Sequence, residues 1–505
     1  MDILKRHILT LFILEFGAHI ANAQSGRKDQ CLTCHEAIGD KAYTSFLRDV
    51  HYKKGLSCAD CHGGNRASEE MEVAMDKSRG FLGVPKGDDI SLTCATCHSN
   101  QERMSRFGSK VQVNQLEMLS ASAHGKLATT GNEHIAQCTT CHGSHGIVSA
   151  KSTASPVHPL NAPKTCAKCH SNASYMRTYN PSLPIDQMEK YRTSVHGVRN
   201  ANGDSKAAEC ASCHGSHDIR PANDMKSAVH ATNLPATCAS CHNDAEHMKG
   251  YKIPTDQHEK FVKSVHGVAL LQKRDLAAPA CNDCHGNHGA TPPGVESISK
   301  VCGTCHALNA DLFSASPHKK AFDQQRLPEC ETCHGNHEII AATENLLGVS
   351  QDAVCSKCHS PEKNTKGYGV AKNMRSLIDS LEVFQGYSAS LIAEAEQKGM
   401  EVGEPKFKLR DVHQARLESR TMVHSFNEER FREVVDKGLK TASIVQAEGQ
   451  HALDEYVYRR VGLGVSTLII TILAISLYFF IRRIERKHQE SIPPSQSNLQ
   501  PKRRS

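Results

Sequence analysis

The chain has 505 residues, with 60 Lys and Arg against 54 Asp and Glu and a formal charge of +6. Aromatic residues make up only 5% and tryptophan is absent. That stock excludes the several apolar cores a chain of this length would ordinarily build, so bulk must come from elsewhere.

Residues 1–23 read as a secretory signal. Lys5, Arg6 and His7 form a basic start, Ile8 to Phe16 is largely apolar, and Ala21-Asn22-Ala23 is a small-x-small cleavage site. An uncleaved anchor is the competing reading, and both export the cysteine-bearing region.

Residues 24–366 hold all 22 cysteines, each in a C-x-x-C-H run. The eleven runs carry Cys31, Cys34 and His35; Cys58, Cys61 and His62; Cys94, Cys97 and His98; Cys138, Cys141 and His142; Cys166, Cys169 and His170; Cys210, Cys213 and His214; Cys238, Cys241 and His242; Cys281, Cys284 and His285; Cys302, Cys305 and His306; Cys330, Cys333 and His334; and Cys355, Cys358 and His359. C-x-x-C-H is the attachment signature of haem c. Two thiols add to the porphyrin vinyl groups, and the next residue becomes the proximal iron ligand. Zinc ribbons and thiol redox sites also use C-x-x-C, but neither needs that histidine. Eleven covalent haems are expected, and their porphyrins replace the missing core. The fold class expected is mainly α with much irregular structure, an extended array of haems. Propionates add about two negative charges per haem, so the net charge gives no ground for nucleic-acid binding.

The sites alternate between two contexts. At Cys138, Cys210, Cys281 and Cys330 the motif runs on as C-x-x-C-H-G-x-H, ending in His145, His217, His288 and His337. Cys58 begins a degenerate copy, His62-Gly63-Gly64-Asn65. The other six sites lack the tail. One site of each kind makes a two-haem module, with 72 residues from Cys94 to Cys166 and again to Cys238. Five modules and a lone site at Cys355 result. Each tail-less site is followed by an isolated histidine in similar surroundings: His51, His124, His196, His266, His318 and, after Cys355, His424. With the four tail histidines these are ten candidate distal ligands. The eleventh is unassigned, with His158 or His230 the best candidates. Met104, Met176 and Met248, each following a proximal histidine, are read as packing against porphyrin.

Residues 367–460 carry no attachment site. Met374, Leu377, Ile378, Leu381 and Phe384 recur at helical spacing, and Gly399 to Pro405 breaks the pattern. Two or more long helices form a stalk. His413 and His424 are expected on one face, with His424 reaching back to the haem at Cys355. Residues 461–481 are free of charge and span about 31 Å as a helix, enough to cross a bilayer. Arg482, Arg483, Arg486 and Lys487 come next, which puts the tail, 482–505, in the cytoplasm.

The Ser-Val-His-Gly run followed by C-x-x-C-H-G-x-H resembles the periplasmic multihaem cytochromes of the cytochrome c3-like superfamily, over roughly residues 31–430. The resemblance implies bis-histidine haems without substrate turnover. It also implies exchange with a quinol-oxidising or b-type membrane cytochrome subunit and with periplasmic electron carriers. The expected function is a single-pass inner-membrane relay in anaerobic respiration. The alternative is a reductase of nitrite, hydroxylamine or a sulfur oxyanion with one five-coordinate haem. The lysine that some such enzymes carry in place of the proximal histidine is absent.

Overall fold

The structure, a computed structural model, describes residues 29–125, 135–293 and 298–491. The stretch read as a secretory signal and all but the first residues of the C-terminal tail fall outside them. Among the described residues the secondary structure is helical, without strands. The chain divides into two compact units, 1–293 with 335–340, and 294–334 with 341–505.

In the first unit the attachment motifs form or end short helices: α1 (Gln30–Ala37), α2 (Asp88–His98), α3 (Cys138–His142), α4 (Ala162–His170), α5 (Cys210–His214), α6 (Leu234–His242) and α7 (Cys281–His285). The Asp29 carboxylate caps α1 at the Cys31 amide, 3.1 Å away, and Glu209 caps α5 at Ala211, 2.8 Å away. Such a cap contributes about 1 kcal/mol. Pro163 and Pro235 sit in the first turns of α4 and α6, where a missing N–H costs nothing. In the tailed sites the helix stops at the motif histidine. The next residue, a glycine, takes a left-handed φ, +80° at Gly143 and Gly286 and +79° at Gly215, and turns the tail away.

The Ser-x-His-Gly run has its own geometry. Ser194 Oγ accepts from the Gly197 amide at 2.9 Å and donates to Tyr191 O at 2.7 Å. It thus closes one short helix and caps the next. A Cβ on Gly197 would lie 1.9 Å from Tyr191 O, so only glycine lets the two helices meet this tightly. Ser264 and Gly267 repeat the arrangement around His266. These runs, and the Asp49-Val50-His51 segment in the equivalent place, are each tied to a later tail by one backbone bond. Val50 N donates to Ile147 O, Ala123 N to Ile219 O, Val195 N to Ala290 O and Val265 N to Ile339 O, at 2.7 to 3.1 Å. The side-chain core is thin, and much of it is Met104, Met176 and Met248, each buried at the same place in its repeat.

The second unit contains α8 (Pro317–Gln325), α9 (Glu329–His334) and a bundle of three helices: α10 (Thr365–Gln397), α11 (Gly403–Met422) and α12 (Glu428–Glu490). Met374, Ile378 and Leu381 of α10 pack on Val412 of α11 and on Phe431, Val435 and Ala442 of α12. A second cluster joins Leu391, Ile392 and Ala395 to Val445, Ala452 and Leu453. Gly438 permits the close approach: a Cβ there would meet Ala415 at 2.8 Å and Leu381 at 2.9 Å. The break expected from Gly399 to Pro405 is narrower in the structure. Gly399, at φ +76°, ends α10, and Pro405 already lies in the first turn of α11, where proline is tolerated.

Burial along α12 ends at Leu453. Beyond it Leu463, Leu468, Ile470, Leu473, Phe479 and their neighbours are exposed, and this is a helix long and apolar enough to cross a membrane. The loop bearing Cys355 is fastened to the bundle. Arg416 binds Glu344 and Glu382, both at 2.8 Å, Arg375 donates to Glu344 O at 2.6 Å, Leu347 joins the cluster around Met374 and Phe431, and Cys355 packs against it.

Candidate haem-binding sites

Among the described residues, at least nine proximal histidines face a second imidazole. Five pairs are close to parallel. In the first unit these are His62 with His145 (6.0 Å between ring centres, 19° between planes), His142 with His217 (6.2 Å, 12°), His214 with His288 (6.0 Å, 15°) and His285 with His337 (5.9 Å, 11°). In the second unit it is His334 with His424 (6.0 Å, 24°). Four pairs are steeply inclined. In the first unit these are His51 with His98 (5.9 Å, 89°), His124 with His170 (6.0 Å, 63°) and His196 with His242 (6.1 Å, 64°). In the second it is His318 with His359 (5.9 Å, 74°).

The spacing fits an iron between the rings. Two metal–nitrogen bonds of about 2 Å, with about 1 Å more from each nitrogen to its ring centre, add to roughly 6 Å. The charge state fits too. Burial lowers the pKa of His98, His124, His142, His170, His214, His217, His288, His337 and His424. A lowered pKa keeps the imidazole neutral, the form that ligates metal.

The ring pairing differs from the sequence reading in one respect: the facing histidines come from neighbouring modules. Each isolated histidine placed in a pair within the array lies opposite the tail-less site of the next module, not the site it follows. His51 therefore faces His98 rather than His35, and His318 faces His359. The tail histidines run the other way. His145, His217, His288 and His337 each face the proximal histidine of the preceding tailed site, so the degenerate site at Cys58 also has a facing ring, His145 opposite His62.

His424 faces His334, not the site at Cys355. It lies past the end of α11, in the turn Val423–Ser425 that precedes Phe426 at φ +47°, so it does not continue the face of His413. Its Nδ1–H donates to Thr421 O at 2.9 Å, while exposed His413 lies 3.3 Å from Gln385 Nε2. His158 and His230 are buried, but neither faces a proximal ring among the described residues. His158 Nδ1 accepts from Leu160 N, and His230 Nδ1 lies 2.9 Å from Thr232 Oγ1. His266 keeps its place in the repeat beside the Ser264 cap.

The thiols reproduce the modules. Cys94 lies beside Cys138, Cys166 beside Cys210, Cys238 beside Cys281 and Cys302 beside Cys330, and Cys31 is near Cys58. The second thiol of a tailed site adjoins the next module. Cys61 neighbours Cys97, Cys141 neighbours Cys166, Cys213 neighbours Cys238 and Cys333 neighbours Cys355. Within each unit, attachment sites that are consecutive in sequence are adjacent in space.

The sequence profile of the cytochrome c3 family matches residues 50–171, and that of cytochrome c554 and c-prime matches residues 15–63. The C-type polyheme cytochrome OmcC of Geobacter sulfurreducens is 23% identical over 312 residues, 52% of this chain and 37% of that protein. The chain is a multihaem c-type cytochrome. A cytochrome c-552 of Desulfotalea psychrophila shares 31% identity over 86 residues, 17% of this chain and 16% of its own. The chain spans well under half the length of both relatives. No solved structure matches it.

In this cytochrome the contacts behind the ligands differ from site to site. His62 Nδ1 donates to Gly83 O at 2.7 Å, a neutral partner. His35 Nδ1 lies 2.6 Å from Asp40 Oδ2, and His51 Nδ1 2.8 Å from Asp49 Oδ1. Against an ionised carboxylate the ring nitrogen must be the donor. A carboxylate there fixes the tautomer and raises the basicity of the ligating nitrogen.

Proposed function

We propose that this cytochrome carries eleven haems and relays electrons between the quinone pool and periplasmic or outer-membrane acceptors, anchored in the inner membrane by α12. Each haem supplies a one-electron iron couple. At the nine paired sites the chain's own imidazoles would hold both axial positions and keep small ligands off the iron, and the fold sets consecutive sites within each unit side by side. That adjacency within each unit is the observation that carries the reading. The exposed apolar half of α12 supports the anchor, with the haem-bearing region in the periplasm and residues 482–505 on the cytoplasmic side. Quinol oxidation is assigned to a membrane partner, since the single span offers no histidine pair for a b-type haem.

The test uses membranes containing the full-length protein. A lipophilic quinol should reduce its haems, and a soluble periplasmic cytochrome should reoxidise them. Failure of either half-reaction with the partner present overturns the relay. A reductase is favoured by one observation, the lack of a second imidazole opposite His35 among the described residues. Stoichiometric turnover of nitrite or hydroxylamine by the purified holoprotein would establish it.

A further inference from the structure

We propose that the haem attached through Cys31 and Cys34 has one iron position left to a small exogenous ligand of the diatomic class. The inference rests on the haem reading and deepens it. Cross-module ligation hands each tail-less site its distal histidine from the module before. Under that rule, in the first unit, His98, His170 and His242 receive His51, His124 and His196. His51, which comes after Cys31 in sequence, is thereby consumed by the site at Cys94. Among the described residues no imidazole faces His35.

The degenerate tail supplies no substitute. Asn65, in place of the tail histidine, turns inward to its own segment. Its N donates to Ala74 O at 3.0 Å, and its Oδ1 accepts from Ala67 N at 3.1 Å.

The second observation lies behind the ring. The Asp40 carboxylate, 2.6 Å from His35 Nδ1, is held in place by its cap on the Ala42 amide at 2.9 Å. His35 is therefore a strong donor to iron from one side, with nothing from the described chain opposing it. A bis-histidine haem rejects carbon monoxide unless a ligand leaves; a haem of this kind accepts it at once in the ferrous state.

Carbon monoxide is the probe, and the dithionite-reduced full-length holoprotein the sample. One equivalent of carbon monoxide should bind per chain. The ferrous protein should show an iron–histidine stretching band in resonance Raman spectra, visible only for five-coordinate haem. That band should move to lower frequency in Asp40→Asn, which needs no change in haem content. The adduct should vanish in Cys31→Ser/Cys34→Ser. Absence of both adduct and band would overturn the proposal, since another group must then fill the position. An undiminished adduct in the double variant, or a band unmoved by Asp40→Asn, would overturn it by placing the open haem elsewhere. The low-spin signals of the remaining haems are the control: their absence from the wild type would strike the haem relay itself.

Discussion

The carboxylate of Asp49, 1% exposed, accepts a hydrogen bond from the ring of His51 at 2.8 Å. Its other oxygen takes the Ile147 amide, also at 2.8 Å, so it cannot swing away. In the later repeats the equivalent residue is Ser122, Ser194, Ser264 or Ser316, which carries no charge. A charge-assisted bond to a ligating imidazole favours the ferric state. Asp49→Ser should therefore raise the midpoint potential of the haem held by His98 and His51 by about 59 mV, a tenfold change in a one-electron equilibrium. A spectroelectrochemical titration resolves the shift, and an unchanged set of potentials would remove Asp49 from any tuning role.

The two families of ring geometry should be visible without mutagenesis. Parallel imidazoles split the iron orbitals rhombically, whereas crossed imidazoles leave them nearly degenerate. The five parallel pairs should give ordinary rhombic low-spin electron paramagnetic resonance, and the four steep pairs a signal with one very large g value. The two should appear with comparable integrated intensity. A single low-spin species would contradict the pairing.

Cross-module ligation makes removal of a tail histidine act at a distance. His145→Ala should open the haem at Cys58, not the one at Cys138 beside it in sequence. His424→Ala should likewise open the haem at Cys330. Each variant should gain one further carbon monoxide site per chain. In the first case that gain should disappear when Cys58 and Cys61 are also changed to serine, and survive when Cys138 and Cys141 are changed instead.

Glu344 links the Cys355 loop to the bundle and has a pH signature. Burial pushes its pKa up, but its backbone amide and the Arg416 guanidinium outweigh this, and the net shift is downward. A depressed folded pKa means the stabilisation is present above the ordinary glutamate range and is lost as pH falls through the lowered value. Glu344→Gln should cost about 0.2–1 kcal/mol near neutral pH and progressively less on acidification. Thermal unfolding across that pH range checks it. A cost that grows toward low pH would reverse the assignment.

The attachment motifs, the two-site modules and a helical C-terminal region are legible in the sequence because each is a local pattern. The direction of ligation is not, since a histidine between two sites at similar distances can serve either. Two irregularities carry the information. Asn65 replaces the tail histidine in the earliest tailed site, and His424 follows the last attachment site with no site of its own. A series in which every tail serves the preceding site has no use for the first tail and needs one extra donor at the end. His424 is misplaced by sequence for a related reason. Helical spacing puts it on the face of His413, whereas α11 stops at Met422 and a tight turn redirects the ring. His158 and His230 recur as faithfully as the paired histidines, yet neither faces a proximal ring among the described residues.

The most direct test is a cryo-electron microscopy map of the full-length holoprotein in detergent, with the iron positions refined. The expected result is an iron between His62 and His145, another between His142 and His217, and so on through His334 and His424. Iron at His142 paired with any residue other than His217, or at His334 with any residue other than His424, would contradict cross-module ligation and the ordered array of sites built on it.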